Sequence, residues 1–378
     1  MTNNKNKMKY LIIIFCIFCI SQDNINASRK NAITKSVRKC SPAIVGINVT
    51  EIREGLYRQR GFGGMFDFFF GPQYQHRQYE VAGNGSGFLI SSDGYILTNH
   101  HVAGNATKIV VTLTDGEKYD AEIIGSDLAS DVCLLKIKGN KKFPYLKFAN
   151  SDKTIVGEWA IAMGNPFGLF DKNAKPVVTV GVVSNIGVSF VNRDGNDFRI
   201  YKDMIQTDAS ISSGNSGGPL LNSKGKVIGM NTVIFTTAQS AQGAGSIGIG
   251  FAVPINRVKR VVDLLMKDGK VERNLNIGIT VTEINERVAR HFYLDSREGV
   301  LVHQIDSRSA AAQAGIDVGD IIERVNGRRI VNSDDLLIAI GDAIVGDRLH
   351  FDILRGNKKI QISFTVPPPL TTANPRRR

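Results

Sequence analysis

The chain has 378 residues, 42% of them hydrophobic and 22% charged, with 38 glycines. These proportions exclude a disordered or collagen-like polymer, and at about 150 residues per domain the length allows two or three units with cores of their own. The net charge of +12 is spread over loops and a terminal Arg376-Arg377-Arg378 rather than gathered into a basic stripe with interleaved aromatics. That distribution reads as a solvated basic surface and points away from nucleic acid as a partner.

Residues 1–27 read as a cleavable export signal. Lys5, Lys7 and Lys9 precede an unbroken apolar run from Leu11 to Ile20, and Ile25-Asn26-Ala27 offers a cleavage site. Ten apolar residues rise only about 15 Å as a helix, half the roughly 30 Å of a bilayer's hydrocarbon core, so a membrane anchor is the competing and weaker reading. Removal of the signal takes Cys16 and Cys19 with it. Cys40 and Cys133 remain, and the apolar setting of Cys133 suggests free, buried thiols rather than a bridge.

Residues 55–80 form an island of Phe, Gly, Gln and Tyr with neither helical nor strand periodicity, expected to be a long mobile loop. From Gly85 to Lys138 short apolar runs alternate with Asp93-Gly94 and Asp115-Gly116 turns, and a second block of the same kind runs from Glu158 to Val253. Two antiparallel β units of similar size follow from that punctuation. The first convincing helix spans Pro254 to about Gly269, with Ile255, Val258, Val261, Val262 and Leu265 at helical spacing, proline at its start and glycine past its end. A last unit, residues 271–366, is expected to hold strands at Ile277–Ile279 and Val300–Val302 and short helices near Ala310–Ala314 and Ser333–Ile340. Residues 367–378, rich in proline and arginine, read as a frayed basic tail.

The chemistry gathers in three places. Gly214-Asn215-Ser216-Gly217-Gly218-Pro219 surrounds a serine with glycines that permit a tight turn, in which the N–H groups of Gly214 and Ser216 could receive an oxyanion. Thr98-Asn99-His100-His101-Val102 places a histidine pair at a strand end, where one ring could serve as general base near neutral pH. A paired-histidine metal site is not indicated, and no metal or cofactor is required. Asp131 opens the apolar run Val132-Cys133-Leu134-Leu135 and as a buried carboxylate would need a cationic partner. Asp127, the competing candidate, reads as a solvated turn residue. The Gly-x-Ser-x-Gly pattern also fits α/β-hydrolases, but their order is Ser, Asp, His with a helix after the serine, whereas here the order is His, Asp, Ser and a hairpin follows.

These segments, with Gly164-Asn165-Pro166-Phe167-Gly168-Leu169 and Ile247-Gly248-Ile249-Gly250-Phe251-Ala252-Val253-Pro254, resemble the HtrA/Deg family of bacterial serine endopeptidases over about residues 32–366. The resemblance implies a mostly β fold: a chymotrypsin-like double β-barrel over residues 28–270, then an α+β PDZ domain over 271–366. It selects His101 as base, Asp131 as orienting acid and Ser216 as nucleophile. Asn276-Ile277-Gly278-Ile279 is similar to the carboxylate-binding loop of PDZ domains, although Asn276 replaces the usual apolar residue, and C-terminal peptides are the implied ligands. Ser210 lies where trypsin-like enzymes have an acidic selector, so a pocket of Ser210, Met230, Asn231 and Thr232 should favour small or medium aliphatic side chains. The resemblance further implies a periplasmic protease of unfolded or misfolded proteins, assembled as a homotrimer. A chaperone or scaffold that holds unfolded chains without cutting them is the rival function.

Overall fold

The computed structural model describes residues 28–58, 74–165, 175–194, 197–212, 214–234, 239–240, 243–244, 248–274, 276–294 and 296–369. The expected export signal, the centre of the Phe-rich segment, Pro166–Leu169 and the end of the tail lie outside them.

Among the described residues, a helix that the sequence reading missed, α1 (Ala32–Cys40), precedes the barrels and is capped by the Asn31 side chain on the Thr34 N–H. Its Ser36 hydroxyl and Cys40 thiol donate to the carbonyls of Ser223 and Gly225, so polar contacts to a distant hairpin seat a short basic helix. The first barrel follows: β1 (Ile44–Arg58), β2 (Tyr74–Leu89), β3 (Tyr95–Thr98), the helical turn α2 (His100–Ala103), β4 (Lys108–Thr112), β5 (Lys118–Asp127) and β6 (Val132–Ile137). These strands close in the order β1-β2-β3-β6-β5-β4. The β1–β2 ladder continues to Arg58 opposite Tyr74, so both ends of the expected 55–80 loop are paired strand.

The second barrel comprises β7 (Trp159–Gly164), β8 (Val177–Asp194), β9 (Asp197–Thr207), β10 (Pro219–Leu221), β11 (Val227–Ile234) and β14 (Gly250–Pro254), closed as β10-β11-β14-β9-β8-β7. The small hairpin β12 (Gln239–Ser240) and β13 (Gly243–Ala244) stands apart. Helix α3 (Ile255–Asp268) ends on Gly269 at φ +69° and buries Ile255, Val258, Val261, Val262 and Leu265. At roughly 2 kcal/mol per buried aliphatic side chain this face contributes about 10 kcal/mol of gross burial. The same core contains Phe88, Leu97 and Leu134 of the first barrel and Met163, Met230 and Val253 of the second, so the helix ties the barrels together. Cys40 and Cys133 are free and buried, and burial pushes the Cys133 thiol up to about 12.

The last unit is an antiparallel sheet, β15 (Ile279–Glu283), β16 (Val300–Ile305), β17 (Ile321–Val325), β19 (Arg348–Arg355) and β20 (Lys358–Thr365), with β18 (Arg328–Arg329) paired to β17. Helices α4 (Glu286–His291), α5 (Ala310–Gln313) and α6 (Ser333–Gly341) pack around it. No helix among the described residues is long and apolar enough to cross a membrane.

Partly buried charge joins this unit to the barrels. Arg257 of α3 donates to Asp342 at 2.9 Å, and Arg273 forks onto Asp127 at 3.0 and 2.7 Å while lying 3.7 Å from Asp342. Asp127 is therefore not the solvated turn residue its local sequence suggested. It is only 6% exposed, and its counter-ion comes from 146 residues away. Burial pushes its carboxyl up, but the hydrogen bonds and charge of Arg273, with Ser130, outweigh this and hold it below the usual range. A depressed folded pKa gives stability that is complete above the ordinary value of about 3.9 and is lost as pH falls through the lowered value. Asp127→Ala leaves the half-buried Arg273 without its main partner and should cost about 3 kcal/mol in urea unfolding at neutral pH. The acid-limb slope that Asp127 contributes should vanish in the same variant.

Candidate active site

The three chemically marked segments converge where the barrels meet. Strand β3 stops at Thr98 and the chain makes a single helical turn whose Val102 and Ala103 are buried. That turn anchors itself on apolar residues and sends His101 towards the surface. Asp131 sits at φ +57° immediately before β6. Its carbonyl accepts from the Asn99 side chain at 3.0 Å, and its N–H donates to Leu128 at 3.2 Å. Asn99 thereby fixes the carboxylate's turn against the histidine's turn.

Ser216 lies on a turn threaded between the barrels. The Ser86 N–H donates to the Ser216 carbonyl, the Gly217 N–H to Asn231, and the Asn231 N–H to Gly218, each at 2.9 Å. A Cβ on Gly217, which has φ +83°, would lie 2.2 Å from the Ser86 carbonyl oxygen and 2.3 Å from Thr98 Oγ1. On Gly218 it would lie 2.1 Å from the Met163 carbonyl oxygen. The glycines after the serine are thus dictated by backbone crossing at contact distance as well as by a positive φ.

Asp131 is 2% exposed and fully engaged. His101 Nδ1 lies 2.8 and 3.0 Å from its two oxygens, the His101 backbone N–H donates to Oδ1 at 3.0 Å, and Thr232 Oγ1 donates to Oδ2 at 2.5 Å. Arg199 Nη1 of β9 stands 3.5 Å from Oδ1. Burial pushes this carboxyl up, but the charge and hydrogen bond of His101, the charge of Arg199 and the Thr232 hydroxyl hold it below its usual value. With Nδ1 committed to the carboxylate, Nε2 is the ring nitrogen left for chemistry.

His101, Ser216 and Gly214 line one cavity of about 270 Å³, walled also by Val49, Glu51, Val81 and Val102. The Ser216 hydroxyl donates to the Thr232 carbonyl at 2.9 Å. Reaching the imidazole requires rotation about Cα–Cβ between staggered positions. Gly214 has φ +94°, and its carbonyl accepts from the Ser86 hydroxyl. Among the described residues neither the Gly214 nor the Ser216 N–H donates to a protein acceptor. His100 turns elsewhere, its Nδ1 meeting Ser126 Oγ, and burial pushes its pKa down.

The residues expected to shape a specificity pocket occupy different environments. Ser210 is exposed and its carbonyl accepts from Thr179, Met230 is fully buried in the core, and Asn231 is buried with its amide on the Pro219 carbonyl. The Thr232 hydroxyl donates to Asp131. Sequence reasoning did not single out Arg199, Ser86 or Asn99 as site residues, because nothing local marks a residue whose partner in the site is distant along the chain. In the last unit Gly278 has φ +85°, Ile277 is buried, and the Gly278 N–H donates to Asn276 Oδ1 at 3.1 Å. Ile279 begins β15, an edge strand beside α6.

The crowding at Gly217 gives a direct test of the turn. Gly217→Ala should cost about 2–4 kcal/mol, since two backbone segments would have to part and the positive φ adds strain. Urea unfolding measures the loss, and a variant of wild-type stability would show that the crossing has room to spare.

Residues 85–230 match the trypsin-like peptidase domain and residues 275–366 the PDZ domain. A probable periplasmic serine endoprotease DegP-like of Pseudomonas putida (strain GB-1) is 38% identical over 95% of this chain and 76% of its own length. The periplasmic serine endoprotease DegP of Escherichia coli (strain K12) is 40% identical over 77% of this chain and 58% of its own. Among solved structures, the HtrA-type protease AlgW with a tripeptide superposes with a TM-score of 0.66 at 29% identity, covering 89% of this chain and 98% of that one. The serine endoprotease from Yersinia pestis gives 0.57 at 29% identity over 89% and 98%. Two closed barrels carrying a His-Asp pair beside a glycine-flanked serine, followed by a PDZ unit, and relatives that agree in both parts, make this chain a member of the HtrA/DegP family of serine endoproteases.

Proposed function

We propose that Ser216, His101 and Asp131 carry the peptidase chemistry, acting on unfolded or misfolded exported proteins. The observation that carries this reading is the shared cavity of His101, Ser216 and Gly214, with Asp131 hydrogen-bonded behind the ring. Ser216 Oγ swings from the Thr232 carbonyl to His101 Nε2 and attacks the scissile carbonyl as the imidazole takes its proton. Asp131 holds the ring and stabilises the imidazolium, and the N–H groups of Gly214 and Ser216 receive the oxyanion. The ring then protonates the leaving amine, and water repeats the sequence on the acyl-enzyme. Small or medium aliphatic residues before the scissile bond fit the absence of an acidic side chain at Ser210, and such residues are accessible mainly in unfolded chains. Relatives named as periplasmic support export to that compartment.

The PDZ unit is read as a receptor for C-terminal peptides that add a strand to β15 and place their carboxylate on the loop Asn276–Ile279. Asn276 Oδ1 already holds the Gly278 N–H, so an incoming carboxylate meets a donor in use. Asn276→Leu should tighten binding of a peptide with a free carboxylate by about fivefold, the worth of one hydrogen bond, and leave its C-terminal amide unaffected. Fluorescence polarisation with the two peptides checks this, and weaker binding of the free acid would count against the loop's role.

The catalytic assignment is tested on a reduced, unfolded protein. Ser216→Ala should lower cleavage by about 10⁴-fold or more, and cleavage at the wild-type rate would remove Ser216 as nucleophile. Suppression of aggregation retained by the same variant would add a holding role to the proteolytic one.

A further inference from the structure

We infer that Arg199, on the β8–β9 hairpin, acts on the proteolytic reaction through its charge on the Asp131 carboxylate, tempering the negative charge which that carboxylate presents to His101. The inference rests on the Ser216–His101–Asp131 reading. Among the described residues, Arg199 is the one permanent cation in contact with that carboxylate, 3.5 Å from Oδ1 with its own side chain 12% exposed.

Its placement is built into the hairpin. Arg199 pairs with Asn192 across the ladder, and the next residue, Ile200, is 2% exposed and lies directly against Gly341 of α6. Tyr201 is buried and packs on Phe190 with ring centroids 4.9 Å apart. The backbone that carries the guanidinium is therefore pinned on both faces, and a long side chain pays little further entropy to hold its contact. Asp131 accepts from three protein groups besides Arg199, so geometry survives the loss of the guanidinium while the charge balance does not.

The other groups facing the pair are identifiable. Glu51 of β1 lines the same cavity, and His100 of α2 is held at Ser126 with its pKa pushed down by burial. Asp127 is neutralised by Arg273, and Cys133 of β6 stays a neutral thiol. Arg199 offsets the negative charge that Asp131 presents to the ring, so a variant without the guanidinium leaves that charge uncompensated.

The test is the pH profile of kcat/KM for an unfolded protein substrate. In Arg199→Gln the midpoint of the acidic limb should rise by about 0.5–1 pH unit. Activity below the midpoint should then fall about 3–10-fold, with the alkaline plateau within about twofold of wild type. Arg199→Lys should return the midpoint towards wild type, and Arg199→Met, which keeps the apolar stem, carries the same expectation as glutamine should that variant be unstable. A midpoint that does not move in a folded, uncharged variant, or a loss uniform across pH, overturns the inference and leaves Arg199 a packing residue. A wild-type profile with no acidic limb, or cleavage by Ser216→Ala, would instead remove the triad reading itself.

Discussion

A carboxylate buried where two barrels meet is the constraint from which the site follows. Asp131 cannot lie 2% exposed without hydrogen bonds and opposite charge, because an uncompensated buried anion would cost more than the fold can supply. Its partners come from three separate stretches: Asn99 and His101 after β3, Arg199 on β9 and Thr232 on β11. Satisfying one group therefore requires both barrels to close and to pack in a single relative position. Stability and chemistry draw on the same contacts.

The serine turn is subject to a second constraint, steric rather than electrostatic. Its glycines lie where the backbones of Ser86 and Met163 come too close for any side chain. The Ser86 N–H and hydroxyl then bind the carbonyls of Ser216 and Gly214. The first barrel thus holds a turn that belongs in sequence to the second, which is how a hydroxyl and an imidazole more than a hundred residues apart come to line one cavity.

Charge also governs the join to the PDZ unit, where the half-buried Arg257, Arg273 and Asp342 connect with the buried Asp127. Pairs of this kind contribute orientation more dependably than net stability, because desolvation consumes much of the attraction. One end of the set reaches Ser130, the neighbour of Asp131. The other reaches α6, whose Gly341 lies against Ile200 beside Arg199. The position of the PDZ unit is consequently linked through packed groups to both sides of the carboxylate.

Elements with a repeating apolar pattern were legible in the sequence. Helix α3 was visible from its spacing, its proline start and its glycine end, and the two β blocks from their Asp-Gly punctuation. The order His, Asp, Ser with the glycines around Ser216 selected a reaction framework without any coordinates, because turn chemistry and residue order are local or one-dimensional properties. Helix α1 escaped because distant carbonyls seat it, and residues 55–58 and 74–80 were read as loop where β1 and β2 in fact run on as a ladder. Asp127 was taken for a solvated residue, and neither Thr232 nor Arg199 was seen as a partner of Asp131. Each of these depends on a partner across a barrel or domain junction, and only the closed tertiary structure determines which charges and donors are left facing one another there.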